Sequence, residues 1–423
     1  MTRIRATRDG VSLHEVFGVA EHVKDYSYVD RGGLDAQLRY ALSAERHIAI
    51  HGASKQGKSW LRSRVLEGGS FVLVQCQNGT TVESLFTDAL GALGVRAELR
   101  RTSGNEFEGT LDFRGSGSIG LHLLAKLGLE VRSSAKGTHS KQTETEPVGQ
   151  TPANLGWVAR TILASQKRLV IEDCHYLSDA CFQDLAFILK ALGGYGLHAL
   201  IAGIWAQDHR LAYYNGDLVG RVEDVHLTWN DEDLDAVLHA GSTALNIDIS
   251  TNLRRLLIAD AAGNVGLLQQ LAETICREEK IYARQATPKY LTAGPSLDRA
   301  RRTVASGMKQ RFQGFADNFD GAVRRVCSDV GEPYAILREL IAYSDEELLQ
   351  GVENDALTRS MRASGKHPPH PHGLTEVMES LAEAQTTMGI RPPVLAYNQQ
   401  AHRVYVTDRS LLFFRRYGSL RWP

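Results

Sequence analysis

The chain has 423 residues and a formal net charge of −1, with 43% hydrophobic and 23% charged residues. These values are typical of a soluble globular protein of two or three domains. They exclude a globally basic field that draws a protein to nucleic acid, although a local basic patch is compatible with them.

Neither a membrane span nor a disulfide framework is indicated. No apolar run approaches the roughly 20 residues needed to cross a bilayer, and the N-terminus lacks the apolar stretch of a signal peptide. The five cysteines are scattered and include no C-x-x-C pair. They indicate reduced thiols in a cytoplasmic protein and argue against a cysteine-based structural zinc site.

The chain begins with an N-terminal leader, residues 1–25, that has no strong periodicity. An amphipathic helix follows, in which Leu34, Leu38 and Leu42 recur at helical spacing. Residues 46–51 then form a short apolar segment that predicts a buried strand, and residues 60–66 predict the first turns of a helix. The segment between them carries the most informative pattern in the chain.

That segment is an unbroken phosphate-binding loop of the form G-x-x-x-x-G-K-S. Its residues are Gly52, Ala53, Ser54, Lys55, Gln56, Gly57, Lys58 and Ser59, and Trp60 follows. Glycines let consecutive backbone N–H groups point at phosphate, and the helix N-terminus adds partial positive charge. Lys58 is suited to the β- and γ-phosphates and the Ser59 hydroxyl to Mg²⁺. A chance match in a glycine-rich turn is the alternative, and the strand–loop–helix order argues against it.

Residues 71–76 predict a second buried strand and residues 82–93 a helix that returns across the sheet. The stretch at about 100–149 is rich in Gly, Ser, Thr and charge, and has an apolar middle at 119–129. It indicates an insertion, either a surface hairpin or helix that packs against a partner, or an ordinary long loop.

A second nucleotide-site pattern ends the strand predicted at residues 167–173. Its apolar run delivers Glu172 and Asp173 to the carboxyl edge of the sheet, where open α/β folds place ligands. One acid would join the Mg²⁺ shell with Ser59, and the other would polarise the attacking water. Their order leaves the two roles open. Solvated acids at a strand end are the alternative, which the intact loop makes a minority interpretation.

Another helix at 178–192 and a strand at 198–204 complete a β–α alternation. The predicted fold class is therefore α/β, with a P-loop parallel sheet covered by helices on both faces over residues 26–230. An all-helical lid is expected at 231–286. Residues 295–423 are expected to be helical and to end in a winged-helix domain, whose hairpin strands are 394–397 and 402–407.

These motifs resemble the AAA+ superfamily, in particular its origin-recognition, transposition-regulator and STAND-like branch, over residues 26–281. The resemblance implies that Tyr28 and Val29, with the two residues after them, cradle the adenine of ATP. It makes Gln207 a candidate for a sensor of the γ-phosphate. It also makes Arg221 a candidate arginine finger that acts on a neighbouring subunit. A surface arginine that pairs with Glu223 or Asp224 is the alternative for Arg221.

The lid departs from the family pattern in one place. Many relatives carry a second sensor arginine at the start of the last lid helix, where this chain has Val265 and Gly266. Within the resemblance, this departure indicates a slow switch rather than a fast motor.

The winged-helix segment carries little positive charge. The helix expected to enter a DNA groove, residues 374–383, has three glutamates and no Lys or Arg, so it would be repelled by phosphate. The tail arginines Arg415, Arg416 and Arg421 lie among aromatic residues and are expected to pack there with their charged ends in water. A protein-binding winged helix is favoured over a DNA reader.

The sequence thus predicts a cytoplasmic ATPase that uses ATP and Mg²⁺, turns over slowly, forms homo-oligomers and regulates a protein effector. The STAND-like resemblance alone implies a setting such as bacterial anti-phage defence. One alternative is a DNA-binding ATPase that loads transposition or replication machinery. The other is a nucleotide-binding scaffold without turnover.

Overall fold

The computed structural model describes residues 10–101, 107–112, 151–205, 207–327, 332–366, 368 and 371–419. The helices of the first part of the chain are α1 (Leu13–Val16), α2 (Leu34–Ser43), α3 (Lys58–Val65), α4 (Val82–Ala92), α5 (Leu155–Ala164), α6 (Asp179–Gly194) and α7 (Arg210–Tyr214). The strands are β1 (His47–His51), β2 (Phe71–Gln75), β3 (Arg96–Arg101), β4 (Phe107–Asp112), β5 (Arg168–Glu172), β6 (Ala199–Ala202) and β7 (Val222–His226).

Five of these strands form one parallel sheet in the order β2-β5-β6-β1-β7. Successive strand residues point to opposite faces. Ala49 therefore packs into the core formed by α4, α5 and α6, whereas Ile48 and Ile50 pack into the core formed by α2 and α3. A parallel sheet with apolar residues on both faces must be covered on both, and the helices cover it. The predicted α/β class is confirmed.

The remaining helices are α8 (Asp231–Leu245), α9 (Thr251–Ala261), α10 (Val265–Glu278), α11 (Pro295–Val326), α12 (Pro333–Ala342), α13 (Asp345–Gln350), α14 (Asn354–Ala363), α15 (Pro371–Glu379), α16 (Leu381–Thr387) and α17 (Ser410–Tyr417). The remaining strands are β8 (Ile247–Ile249), β9 (Lys289–Leu291), β10 (Val352–Glu353), β11 (Leu395–Asn398) and β12 (Arg403–Val406). β8 and β9 pair in parallel, and β10, β12 and β11 form an antiparallel sheet.

A single hydrophobic core joins the lid helices to the C-terminal segment. Its buried residues come from α8 to α17 and from the N-terminal segment, including Leu13 and Phe17. Phe17 lies against Gly241 of α8, where a Cβ atom would overlap its ring. The segment expected to be an unpatterned leader therefore packs, from residue 13, against the lid.

The C-terminal hairpin lies where it was predicted, as β11 and β12. The long helix expected from residue 374 is instead two helices, α15 and α16, which meet at Ser380. The Ser380 hydroxyl donates to the Val377 carbonyl at 2.8 Å, a back-bond that bends helices. The interpretation of this segment as a winged helix stays a prediction.

The predicted insertion lies mostly outside the described residues, and its apolar middle lies wholly outside them. Its beginning is an antiparallel hairpin of β3 and β4, in register from Arg96 opposite Asp112 to Arg101 opposite Phe107. Among the described residues, no helix combines the length and the apolar character that a membrane crossing requires.

Candidate nucleotide-binding site

The phosphate-binding loop connects the end of β1 to the start of α3, as its pattern requires. Gly52 has φ 137°, and a Cβ atom there would lie 2.5 Å from the Leu227 carbonyl oxygen. Gly57 caps α3 in the left-handed region at φ 82°. Both positions suit glycine because other residues rarely adopt these angles. Glycine at these two positions therefore allows the tight curl of the loop between β1 and α3.

The Lys58 side chain folds back onto the loop to which it belongs. Its ammonium group donates to the Ala53 carbonyl at 2.7 Å and to the Gly52 carbonyl at 3.3 Å. Desolvation lowers the pKa of Lys58 to about 7, and the nearby Asp173 carboxylate opposes this shift. A phosphate group would supply the negative charge that this ammonium otherwise lacks. Ser59, the second residue of α3, is exposed.

The two acids at the end of β5 have different surroundings. The Glu172 carboxylate accepts two hydrogen bonds from the Arg62 guanidinium, from Nε at 3.0 Å and from Nη2 at 3.3 Å. Both side chains are buried, with 6% and 11% of their surface exposed. Arg62 lies one helical turn after Lys58, so α3 carries both cations toward the acids.

Asp173 lacks such a partner among the described residues. Its backbone is left-handed, at φ 59°, which turns the chain out of the strand. Burial and the adjacent Glu172 raise the pKa of the Asp173 carboxyl, and Lys58 lowers it. The two acids therefore differ in their surroundings. Glu172 is neutralised by Arg62, whereas Asp173 faces the lysine of the loop.

A pocket lies between the segment before α2, the loop and the lid. Its lining includes Tyr28, Val29 and Arg31 of the predicted adenine segment and the predicted Trp60. It also includes Trp229, Val265 and Gln269, for which no contact with the base was predicted. An aromatic and aliphatic lining of this kind suits a planar base.

Arg31 and Trp229 close the pocket against the loop. The Arg31 guanidinium lies 4.0 Å from the centre of the Trp229 ring, and its Nη2 donates to the Gln56 carbonyl at 2.9 Å. The Trp229 indole donates to the same carbonyl at 3.1 Å. Burial lowers the pKa of Arg31 to about 10. Arg31 is the last residue of the predicted adenine segment, whereas no pattern in the sequence marked Trp229.

Gln269 supplies a polar group to the same pocket. Its Nε2 donates to the Ser27 hydroxyl at 2.9 Å, and its Oε1 takes no part in that bond. This buried oxygen has no hydrogen-bond partner among the described residues. An unpaired buried acceptor is costly, so a donor such as the exocyclic amine of adenine fits it.

The lid rests directly on the loop. The Gln56 side chain donates to the Gly263 carbonyl at 2.8 Å, and the Gly266 amide donates to the Lys55 carbonyl at 3.3 Å. A Cβ atom on Gly266 would lie 2.8 Å from that of Lys55. This close approach explains why the position has no long side chain: α10 contacts the loop through its backbone.

The C-terminal segment also reaches the loop. The Ser54 amide donates to the Thr407 carbonyl at 3.1 Å, just beyond β12. Arg409 donates to the Ala262 and Gly263 carbonyls, each at 3.3 Å. Three parts of the chain outside the loop thus contact it: the segment before α2, the lid region around the start of α10, and the segment after β12.

Two further predicted residues form no hydrogen bond with the loop among the described residues. Gln207 donates to the side chain of Gln400 in the C-terminal hairpin at 3.0 Å. Arg221 is exposed and precedes β7 at the amino edge of the sheet. The two acids that the alternative interpretation paired with Arg221 contact other residues. Glu223 pairs with Arg46 at 3.5 Å, and Asp224 contacts His209 at 2.7 Å.

No protein-family model matches the chain, and neither does any curated protein. Among solved structures, the Walker-type ATPase PABY2304 of Pyrococcus abyssi is similar with a TM-score of 0.50 at 13% identity, over 92% of this chain and 96% of that one. This chain has a P-loop ATPase fold. Aeropyrum pernix ORC1 in complex with DNA has a TM-score of 0.41 at 11% identity, over 93% and 94%. The Thermotoga maritima RuvB Holliday junction branch migration motor has 0.33 at 12%, over 91% and 94%.

Proposed function

We propose that this chain binds ATP and Mg²⁺, hydrolyses ATP slowly, and works as an oligomerising switch that regulates a partner protein. One observation carries the proposal. The loop that holds Lys58 lies beside Asp173 at one edge of the sheet, and the lid and the C-terminal segment both bond to that loop. ATP binding or hydrolysis at the loop would therefore alter the hydrogen bonds that join the loop to the lid and to the C-terminal segment.

Adenine is the base that the pocket suits. The buried Oε1 of Gln269 is an acceptor without a partner among the described residues. The adenine amine is a donor, whereas guanine presents a carbonyl oxygen at the corresponding position. Tyr28 and Val29 line the same pocket. The loop amides and Lys58 then hold the phosphates.

The donors near the phosphates fit Mg²⁺, which prefers oxygen ligands. Ser59 and Asp173 offer a hydroxyl and a carboxylate, and Asp173 forms no ion pair among the described residues. Bound Mg²⁺ would neutralise charge on the phosphates. Asp173 is our choice for the acid that contacts the metal or orients water. Glu172 holds Arg62 and so fixes α3 against β5.

Arg221 would complete the site of a second copy. Because β7 runs parallel to β1, Arg221 lies at the amino edge of the sheet and the loop lies at the carboxyl edge. Five strand residues separate the edges by roughly 16 Å, beyond the reach of an arginine side chain. Arg221 therefore acts on a neighbour's phosphates or on none.

A partner protein, rather than DNA, is the target that we favour. Arg415 and Arg416 of the tail both pair with Asp345, so their charge is already used within the chain. The order from α13 to β12 is helix, strand, three helices and two strands. It matches a winged helix if α15 and α16 are taken as one divided helix, in support of an interaction domain. A role in bacterial anti-phage defence is supported only by the STAND-like resemblance. It is tested by comparing phage infection of cells with and without the gene.

The mass of the full chain with and without ATP and Mg²⁺ tests the switch. Wild type should assemble with ATP, and Lys58→Ala should not, while Lys190→Ala, a surface lysine of α6, should behave as wild type. An identical mass distribution for wild type and Lys58→Ala would reject the proposal.

The rate of ATP turnover distinguishes the role of Asp173 from that of Glu172, and it also distinguishes an ATPase from a scaffold without turnover. Asp173→Asn should reduce phosphate release at least tenfold while ATP still binds, because the carboxylate acts after binding. Unchanged turnover in both Asp173→Asn and Glu172→Gln would favour a scaffold that does not hydrolyse ATP. Tight, salt-dependent binding to DNA would favour the loading ATPase.

A further inference from the structure

Imidazole and carboxylate groups converge beside the nucleotide site, on the side of the sheet formed by β1 and β7. His51 is the last residue of β1 and His226 the last of β7, and the two pair across the parallel ladder. Asp208 lies in the segment between β6 and α7. The ligand atoms of these three residues all lie within 4.8 Å of one another.

His51 presents an unprotonated nitrogen to the acids. Its side chain is completely buried, and its Nδ1 lies 3.3 Å from the Trp205 carbonyl oxygen. A carbonyl can only accept, so Nδ1 carries the proton and Nε2 carries a lone pair. Nε2 is buried and has no hydrogen-bond partner among the described residues. Metal-binding histidines are held in the same way, with the other nitrogen donating to a carbonyl.

Two carboxylates face that lone pair. Asp208 Oδ1 lies 3.4 Å and Asp224 Oδ1 lies 3.5 Å from His51 Nε2. The other oxygen of Asp224 contacts His209 Nδ1 at 2.7 Å, which turns Oδ1 toward His51. Electron pairs that face one another repel unless a cation lies between them. A proton on Nε2 would instead create a fully buried imidazolium whose ring stacks on His226 at 4.6 Å.

The separations match those of ligands around one ion. Two atoms bound at 2.0–2.1 Å with tetrahedral angles lie about 3.4 Å apart. The distances from His51 Nε2 to the two acids are 3.4 and 3.5 Å, and His226 Nδ1 lies 3.1 Å from Asp208 Oδ1. The side chains of Asp208 and His226 are 60% and 41% exposed, so an ion can enter from solvent.

We propose that His51, Asp208 and His226 bind a divalent transition-metal ion of the zinc class. Two imidazoles with carboxylates select such ions over Mg²⁺ or Ca²⁺, which prefer oxygen alone. This site differs from the cysteine-based zinc site that the sequence argued against. Because His51 precedes Gly52 and Asp208 follows Gln207, the ion would tie the start of the phosphate-binding loop to the segment after β6.

Cobalt binding to the full chain, without a histidine tag and without nucleotide, tests the site. The chelator-treated protein is titrated with Co²⁺, and the intense visible absorption of tetrahedral cobalt is recorded. The test variants are His226→Asn and Asp208→Asn, whose side chains are partly exposed. Circular dichroism checks that both variants keep the fold. The controls are His239→Asn and Asp217→Asn, which replace exposed residues outside the cluster.

We expect one tetrahedral Co²⁺ per chain in wild type and both controls, displaced by one equivalent of Zn²⁺. Each test variant should bind at least tenfold more weakly. Because ATP is absent, this outcome does not depend on the proposed switch. Binding in the test variants equal to wild type, or only weak octahedral cobalt in wild type, would overturn the proposal.

Discussion

The buried pair of Arg62 and Glu172 gives the sharpest prediction about stability. In Arg62→Met the two hydrogen bonds at 3.0 and 3.3 Å are lost, and Glu172 stays in a position where 6% of its side chain is exposed. Removal of one partner of a buried pair costs about 3–5 kcal/mol because the remaining charge is unpaired. For a P-loop core of roughly 200 residues, a loss of 3 kcal/mol lowers the melting temperature by about 6–12 °C.

The same helix offers a matched control. Arg64 pairs with Asp25 at 3.0 Å, but these side chains are 47% and 46% exposed. Exposed pairs contribute less than about 1 kcal/mol, so Arg64→Met should lower the melting temperature only slightly. Thermal unfolding followed by circular dichroism compares the two variants. Equal shifts for Arg62→Met and Arg64→Met would refute the assignment of Glu172 as a structural acid.

A double-mutant cycle isolates the pair itself. Glu172→Gln removes the charge that Arg62→Met leaves unpaired, so the double variant should be more stable than the sum of the single losses implies. For contacting residues, the coupling energy lies at about 0.5–3 kcal/mol. Strict additivity would mean that the two side chains do not interact in solution, and Glu172 would again be a candidate for the metal.

Two further predictions concern β1 and the loop after it. Burial lowers the pKa of His47 to about 4 from 6.5, so its contribution to stability is complete above pH 6.5 and is lost as the pH falls toward 4. The loss amounts to roughly 3 kcal/mol, and denaturation at several pH values should show a shallower acid slope for His47→Gln but not for the exposed His239→Gln. Gly52→Ala should weaken ATP binding at least tenfold, because its φ is 137° and its Cβ would lie 2.5 Å from the Leu227 carbonyl. Gly91→Ala, on α4 with open space around it, should keep ATP binding and gain about 0.5–1 kcal/mol; equal ATP affinity in the two variants would contradict the strain at Gly52.

Features encoded by contiguous residues were predictable from the sequence. The loop at 52–59 is recognised because phosphate binding needs glycines, a lysine and a hydroxyl at set spacings along one turn. The parallel sheet was predictable from uninterrupted apolar runs such as residues 169–171, because a strand that is covered on both faces has apolar side chains on both. Strands β8 and β9 were missed, because three residues each carry too little periodicity to be told from a loop.

Contacts between distant residues were not predictable in the same way. Arg62 and Glu172 are 110 positions apart, and arginine is usually exposed, so no local pattern marks the pair. Its only signal was that Arg62 follows Lys58 by four residues and so shares its helix face. Trp229 and Gln269 reach the pocket through the packing of the lid, which depends on the whole fold.

The contacts of the loop itself bear on how a switch would work. Its backbone and side chains bond to Gly263 and Gly266 of the lid region and to Thr407 after β12, while Arg31 approaches from the N-terminal side. Lys58 meanwhile bonds to carbonyls of its own loop, which it must leave in order to reach phosphate. A loop that only catalysed turnover would need none of the distant contacts. Because a ligand shifts an equilibrium only through differential contacts, these bonds are where ATP would change the relation of the lid and the C-terminal segment to the core.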